Sequence, residues 1–225
     1  MIQVRTSLIA VTMVLIGLAT SHGRGETISD DQRLVLAADE NDTATVQRLL
    51  KAGANIHVRD GQGRTALLAA TSHNHVESAR LLIEAGADVN AQDKKLDSPL
   101  LLSGASGYLE ILTLALKAKP NFKIYNRFGG TALIPACERG HVEVVRALLN
   151  SDVDVNHVNN LGWTALLEAI ILSDGGPRHQ EIVRMLVAAG ASVNIPDHEG
   201  VTPLQHARQK GYRKIVGTLE AAGAR

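Results

Sequence analysis

The chain repeats itself. Thr65, Ser98, Thr131 and Thr164 follow one another at intervals of 33 residues, and Thr202 comes 38 residues after the last of them. Their surroundings recur too, as in GRTALLAATSHNHVESARLLIEAGADVNAQD from Gly63 and GGTALIPACERGHVEVVRALLNSDVDVNHVN from Gly129. A period of this length excludes most globular folds, because each copy is one small supersecondary unit that buries its apolar side only by stacking on its neighbours. Weaker copies at Leu34 and Leu96 bring the count to six, with bounds 28–60, 61–93, 94–126, 127–159, 160–197 and 198–225. Together they make one domain over residues 26–225.

Each unit reads as two helices. The recurring Thr or Ser precedes Ala or Pro and an apolar run, which is an N-cap followed by a residue suited to the first helical turn. A polar break such as ERGH (Glu138 to His141) leads to a second helix, where Val142, Val145, Leu148 and Leu149 share a face. Gly53, Gly86, Gly190 and Gly223 supply the left-handed residue that closes it. Aromatic residues are only 3% of the chain while 45% is hydrophobic, and much of that is Ala, Leu and Val, which suits packed helices rather than strands. The fold class is all-α.

TPLQHA (Thr202 to Ala207), TALLAA, TALIPA and the helix ending AGADVN (Ala85 to Asn90) resemble the ankyrin repeat. The resemblance covers everything after the N-terminal segment and implies a solenoid of helix-turn-helix units, a curved stack with short β-hairpin-like fingers between them. Its concave face, built from fingers and first helices, is where such a stack binds partners. Three positions depart from the pattern: Lys119, Pro120 and Asp152 stand where glycine, alanine and glycine are usual. Proline disfavours a left-handed preceding residue, so the third unit's helix end is expected to be remodelled.

The N-terminus has a different character. Arg5 precedes LIAVTMVLIGLA (Leu8 to Ala19), and TSHGRG follows. The run is too short to span a bilayer and matches a secretory signal, with cleavage near Ser21 or Gly23 and a leader of residues 1–25. The expected location is the periplasm or the exterior, with no membrane association after cleavage, and a secreted factor acting on another cell is an alternative to a resident periplasmic protein. Removing Arg5 and Arg24 with the leader leaves 21 basic against 23 acidic residues. No cluster of Lys and Arg remains to attract a polyanion, so nucleic acid is not an expected partner. The lone Cys137 cannot form an internal disulfide, and burial is its safest state in an oxidising compartment. Asn41-Asp42-Thr43 has the form of a glycosylation acceptor, a short pattern that also arises by chance.

Function is expected where copies differ. Phe128 and Leu161 occupy equivalent finger positions in successive units, and Trp163 adjoins them; exposed together, they would form an apolar patch of the kind that marks an interface. Arg64, Asp97, Glu138 and Arg139 are the expected polar rim. The reading is a non-enzymatic module, monomeric, with no cofactor or metal, that binds another protein.

A competing reading places a small-molecule or substrate-processing site between units four and six, around Glu168, His206 and Cys137. Glu168 stands where other units have Ala69, Leu102 and Pro135, and the sixth presents His206 there, so these two are expected to pair across the stack. Cys137 with His141 has the residue types of a nucleophile and base. Against this, His75, His141 and His179 recur with the repeat, which explains them better than catalysis or metal ligation does. The extra residues of the fifth unit fall within SDGGPRH (Ser173 to His179), expected as an edge loop and a second contact.

Overall fold

The computed structural model describes residues 28–225; the expected leader and its cleavage site lie outside them. The described residues form twelve helices in six consecutive pairs, with no strand among them. The first helices are α1 (Asp30–Asp39), α3 (Ala66–Ser72), α5 (Pro99–Ser106), α7 (Leu133–Glu138), α9 (Ala165–Ile171) and α11 (Pro203–Gln209). The second helices are α2 (Thr43–Lys51), α4 (Val76–Glu84), α6 (Leu109–Lys117), α8 (Val142–Leu149), α10 (Pro177–Ala188) and α12 (Arg213–Ala221). Each first helix packs on the first helices before and after it, and the second helices do likewise. The result is two parallel rows of helices sharing one continuous core of Leu, Val, Ile and Ala.

The caps follow from the recurring hydroxyl. Thr65, Ser98, Thr164 and Thr202 each accept the backbone N–H three residues on, satisfying one of the donors a helix start leaves open. The carbonyl of each also accepts the N–H four residues on, as from Ala69 to Thr65 and from Glu168 to Thr164. Thr131 departs from the expected role. The residue four beyond it is Pro135, which has no N–H to give. Helix α7 therefore starts later, at Leu133, and Thr131 Oγ1 is left buried without a partner.

Two helix ends also correct the sequence reading. Lys119 adopts the left-handed conformation, φ 55°, despite Pro120, so the third unit closes like its neighbours, at the roughly 1–2 kcal/mol that a side chain costs there. The altered end belongs to the fourth unit. Asp152 does not take a positive φ; instead Ser151 donates both its backbone N–H and its hydroxyl, at 2.9 and 2.6 Å, to the Leu148 carbonyl. The expected loop Ser173 to His179 is helical from Pro177 onward. Proline at the first helical position has its φ already set and lacks only an N–H that would be unpaired there, so the insertion lengthens α10 to 12 residues.

The recurring histidines tie units together. Nε2 of His75 lies 3.1 Å from the Asp39 carbonyl and that of His179 lies 2.9 Å from the Glu138 carbonyl, each bridging to the end of the preceding first helix. Tyr212 does the same through its hydroxyl to the Ser173 carbonyl. Finger joins finger by backbone bonds, from Lys94 to Gln62 and from Asn160 to Phe128.

Candidate binding cleft

Every finger is built on one Asx residue: Asp60, Asp93, Asn126, Asn159 and Asp197. Its Oδ1 accepts the backbone N–H groups two and four residues on, as Asn159 does from Leu161 at 2.9 Å and Trp163 at 3.0 Å. Asp197 does so from Glu199 and Val201, both at 2.9 Å. This turn fixes where the intervening side chains point, because it locks the backbone on both sides of the finger tip. Phe128 and Leu161 are thereby held outward, 47% and 48% exposed.

Between the fingers and first helices of units three to five lies a cleft of about 390 Å³, at the small end of the roughly 300–1,000 Å³ of ligand pockets. Phe128, Leu161 and Leu172 stand at its mouth with Leu101, Leu102 and Ile134 further in, and its polar groups include Asp97, Arg127, Glu138, Arg139, Asn159 and Glu168. Five of the seven expected contact residues meet here: Phe128, Leu161, Asp97, Glu138 and Arg139. Arg64 does not. It is engaged 2.8 Å from both Asp60 and Asp39, in the first two units. Trp163 is half-buried and does not line the cleft.

Glu168 is the unusual group. It is 5% exposed, and Asn159 Nδ2, left free because Oδ1 serves the turn, donates to its Oε1 at 2.9 Å. Burial raises its pKa from 4.5 to about 7, with the Glu138 charge adding to the rise while the Asn159 bond and Arg139 oppose it. Burial disfavours the charged form because desolvation is not repaid by a counter-ion. The expected pairing of Glu168 with His206 is not what the chain does: His206 Nε2 bonds instead to Asp197 Oδ2 at 2.7 Å. Each of the two groups reaches nine residues back to the Asx of its own finger, since the first helix of a unit returns beneath the finger that precedes it.

The remaining chemistry is weak. Cys137 is fully buried, and burial, then the charge of Glu168, pushes its thiol well above the ordinary range, which withholds the thiolate that a nucleophile needs. His141 is lowered mainly by burial, partly countered by its bond to the Ala105 carbonyl, so it behaves as another inter-unit tie. Among the described residues no three His, Cys, Asp or Glu side chains are grouped to hold a metal ion. Cys137, Glu168 and His206 thus do not form one reactive centre. The sequence reading missed Leu172, Arg127 and Asn159. Leu172 was within reach, being a leucine where equivalent positions carry His73, Ser106, Arg139 and Lys210.

Two rows of helices joined by Asx-built fingers, with a partly apolar cleft on the finger side, define a repeat solenoid whose usable surface is a face rather than a pore. The chain belongs to the ankyrin-repeat family: the family model for ankyrin repeats in three copies matches residues 34–125 and 100–197. It is 54% identical to an ankyrin repeat domain from Acinetobacter baumannii AYE, with a TM-score of 0.84 over 86% of this chain and 98% of that one. The ankyrin repeat protein EF0377 is 40% identical, with a TM-score of 0.81, 85% of this chain and 97% of that one being covered. YahD of Escherichia coli (strain K12), named as an ankyrin repeat protein, is 50% identical over 58 residues, 26% of this chain and 29% of YahD; the match thus spans under a third of that relative. Ankyrin repeats are in general protein-interaction modules rather than catalysts, and no helix among the described residues is long and apolar enough to cross a membrane.

Proposed function

We propose that this protein is an exported, non-enzymatic binding module that captures another protein at the cleft of units three to five. The observation that carries this reading is the convergence of three exposed apolar side chains, Phe128, Leu161 and Leu172, on the mouth of that cleft. Exposed apolar groups rimmed by charge favour desolvation by a partner. A stack already ordered by its own core loses little further entropy on binding. Export rests on Arg5 and the apolar run Leu8 to Ala19, and the expected mature chain is periplasmic or secreted and monomeric.

A photo-crosslinking amino acid at position 161, in the full chain expressed in its own cell, tests the binding face. A discrete protein adduct is expected from position 161 and not from position 84 at the end of α4. The same adducts from both positions, or none from either, would overturn the assignment. Intact mass of the protein recovered from the cell envelope tests export: loss of about 21 to 25 residues is expected, and an unshortened cytosolic chain refutes it.

A further inference from the structure

We propose that the cleft receives a cationic side chain, arginine or lysine, from the protein partner, its aliphatic stem lying along Phe128, Leu161 and Leu172 and its charge meeting Glu168. The inference rests on the binding role proposed above and names the chemistry of the anchor.

Three observations converge on a cation. Glu168 Oε1 is held by Asn159, but Oε2 accepts no hydrogen bond among the described residues. Thr131 Oγ1 is the sole sealed side-chain polar atom without a partner there, so the free oxygen opens onto the cleft that Glu168 lines. The cations nearby are already engaged. Arg127 lies 4.6 Å over the Phe128 ring and 4.0 Å from Asp97, and Arg139 gives Nη1 to the Ala105 carbonyl at 2.7 Å. Glu138, a second carboxylate close enough to oppose ionisation of Glu168, has no ion-pair partner among the described residues. The cleft therefore sets three acids, Asp97, Glu138 and Glu168, against two arginines that form no salt bridge with Glu168, beside an apolar wall. Long basic side chains match such a site, since their methylene stems cover apolar surface while the head stays polar.

At the same place in unit six the polar group is satisfied internally, where His206 closes on Asp197. A carboxylate ionised there without a counter-ion costs stability, and an incoming cation recovers it.

Fragment binding to the full chain, followed by NMR at pH 8, tests the proposal. N-acetyl-arginine amide and N-acetyl-lysine amide are the cationic probes, and N-acetyl-citrulline amide is the neutral match for arginine. The cationic probes are expected to bind with dissociation constants on the order of millimolar, moving the signals of Leu161, Leu172 and Phe128. Citrulline is expected to bind roughly tenfold more weakly, Glu168→Gln to remove that preference, and Glu138→Gln to reduce it by about half. Equal binding of arginine and citrulline probes, or an undiminished preference in Glu168→Gln, overturns the cation. Crosslinking from position 161 separates the two levels: an adduct that persists in Glu168→Gln while the probes show no charge preference sinks the cation alone, and its absence from the unmodified sequence sinks the binding face.

Discussion

The fifth and sixth units solve one geometric problem in opposite ways. Both carry a polar side chain at a first-helix position that is Ala69, Leu102 or Pro135 elsewhere, and both turn it back onto the finger's Asx. In unit six the pair is Asp197 with His206, which can carry opposite charges and lie 2.7 Å apart. Burial works against the Asp197 carboxylate, yet His206 and the Val201 and Glu199 amides together hold its pKa below the usual range. In unit five the pair is Asn159 with Glu168, one of which can never carry charge, and burial drives the acid up to about 7. The sixth unit is internally complete. The fifth keeps an unmet demand, and it is the one that faces the cleft.

Their pH signatures therefore differ in sign. Glu168 binds its proton more tightly folded than unfolded, so unfolding releases a proton between the ordinary 4.5 and about 7, and stability falls as pH rises through that window. Asp197, held low, contributes stability that is present above the ordinary carboxylate range and is lost as pH falls through its folded value. The largest expected effect is thus a gain: Glu168→Gln, which cannot ionise, should raise the unfolding free energy by about 3 kcal/mol at pH 8, at ~1.4 kcal/mol per pH unit, and leave it nearly unchanged at pH 4.5. Urea melts at the two pH values check this. A loss at pH 8 would mean that the carboxylate is satisfied, and the contrast between the units would collapse.

Transplanting the sixth unit's solution sharpens the same contrast. Asn159→Asp with Glu168→His recreates the Asp197–His206 arrangement inside unit five, with Oδ1 still serving the Leu161 and Trp163 amides. The double variant should gain about 2 kcal/mol at pH 7 and lose the decline between pH 4.5 and 7. Retention of that decline would assign it to a group other than Glu168.

Breaking the complete pair is the converse experiment. His206→Ala leaves Asp197 with its two backbone donors but without its charge partner, both side chains being mostly buried at 16% and 7% exposure. The loss expected at pH 6 is about 1–2 kcal/mol, less than for a fully buried pair because the loop amides remain. A loss under about 0.5 kcal/mol would place the pair with surface ion pairs and remove the contrast from that side.

The architecture was legible because a period survives substitution: the hydroxyl caps, the closing glycines and the helix-start histidines all recur. What escaped were interactions set by spacing within a unit. Pro135 was in plain view, but its effect on Thr131 appears only when the donor four residues on is asked for. Glu168 and His206 were matched to each other because they align across units, whereas chain geometry joins each to a residue nine earlier. Trp163 drew notice through its rarity, yet the finger position just before the cap places it half-buried and off the cleft. The cleft itself was half legible, since Phe128 and Leu161 lie at equivalent finger tips one unit apart, while Leu172 comes to the same mouth from the end of a helix.

The smallest expected change in stability is the most informative about use. Phe128 and Leu161 are each about half exposed, so Phe128→Ser and Leu161→Ser remove only about half of a full side chain's burial, and each should lower the unfolding free energy by about 1 kcal/mol. Two large apolar side chains left half exposed at one cleft have the rest of their surface to bury in a complex. Each serine variant should therefore abolish the adduct formed by a crosslinker at position 172, while Arg64→Ala, whose ion pairs lie in the first two units, should not. The opposite pattern, a melting loss of several kcal/mol with the adduct intact, would return Phe128 and Leu161 to packing and leave unit five's buried acid without a binding face around it.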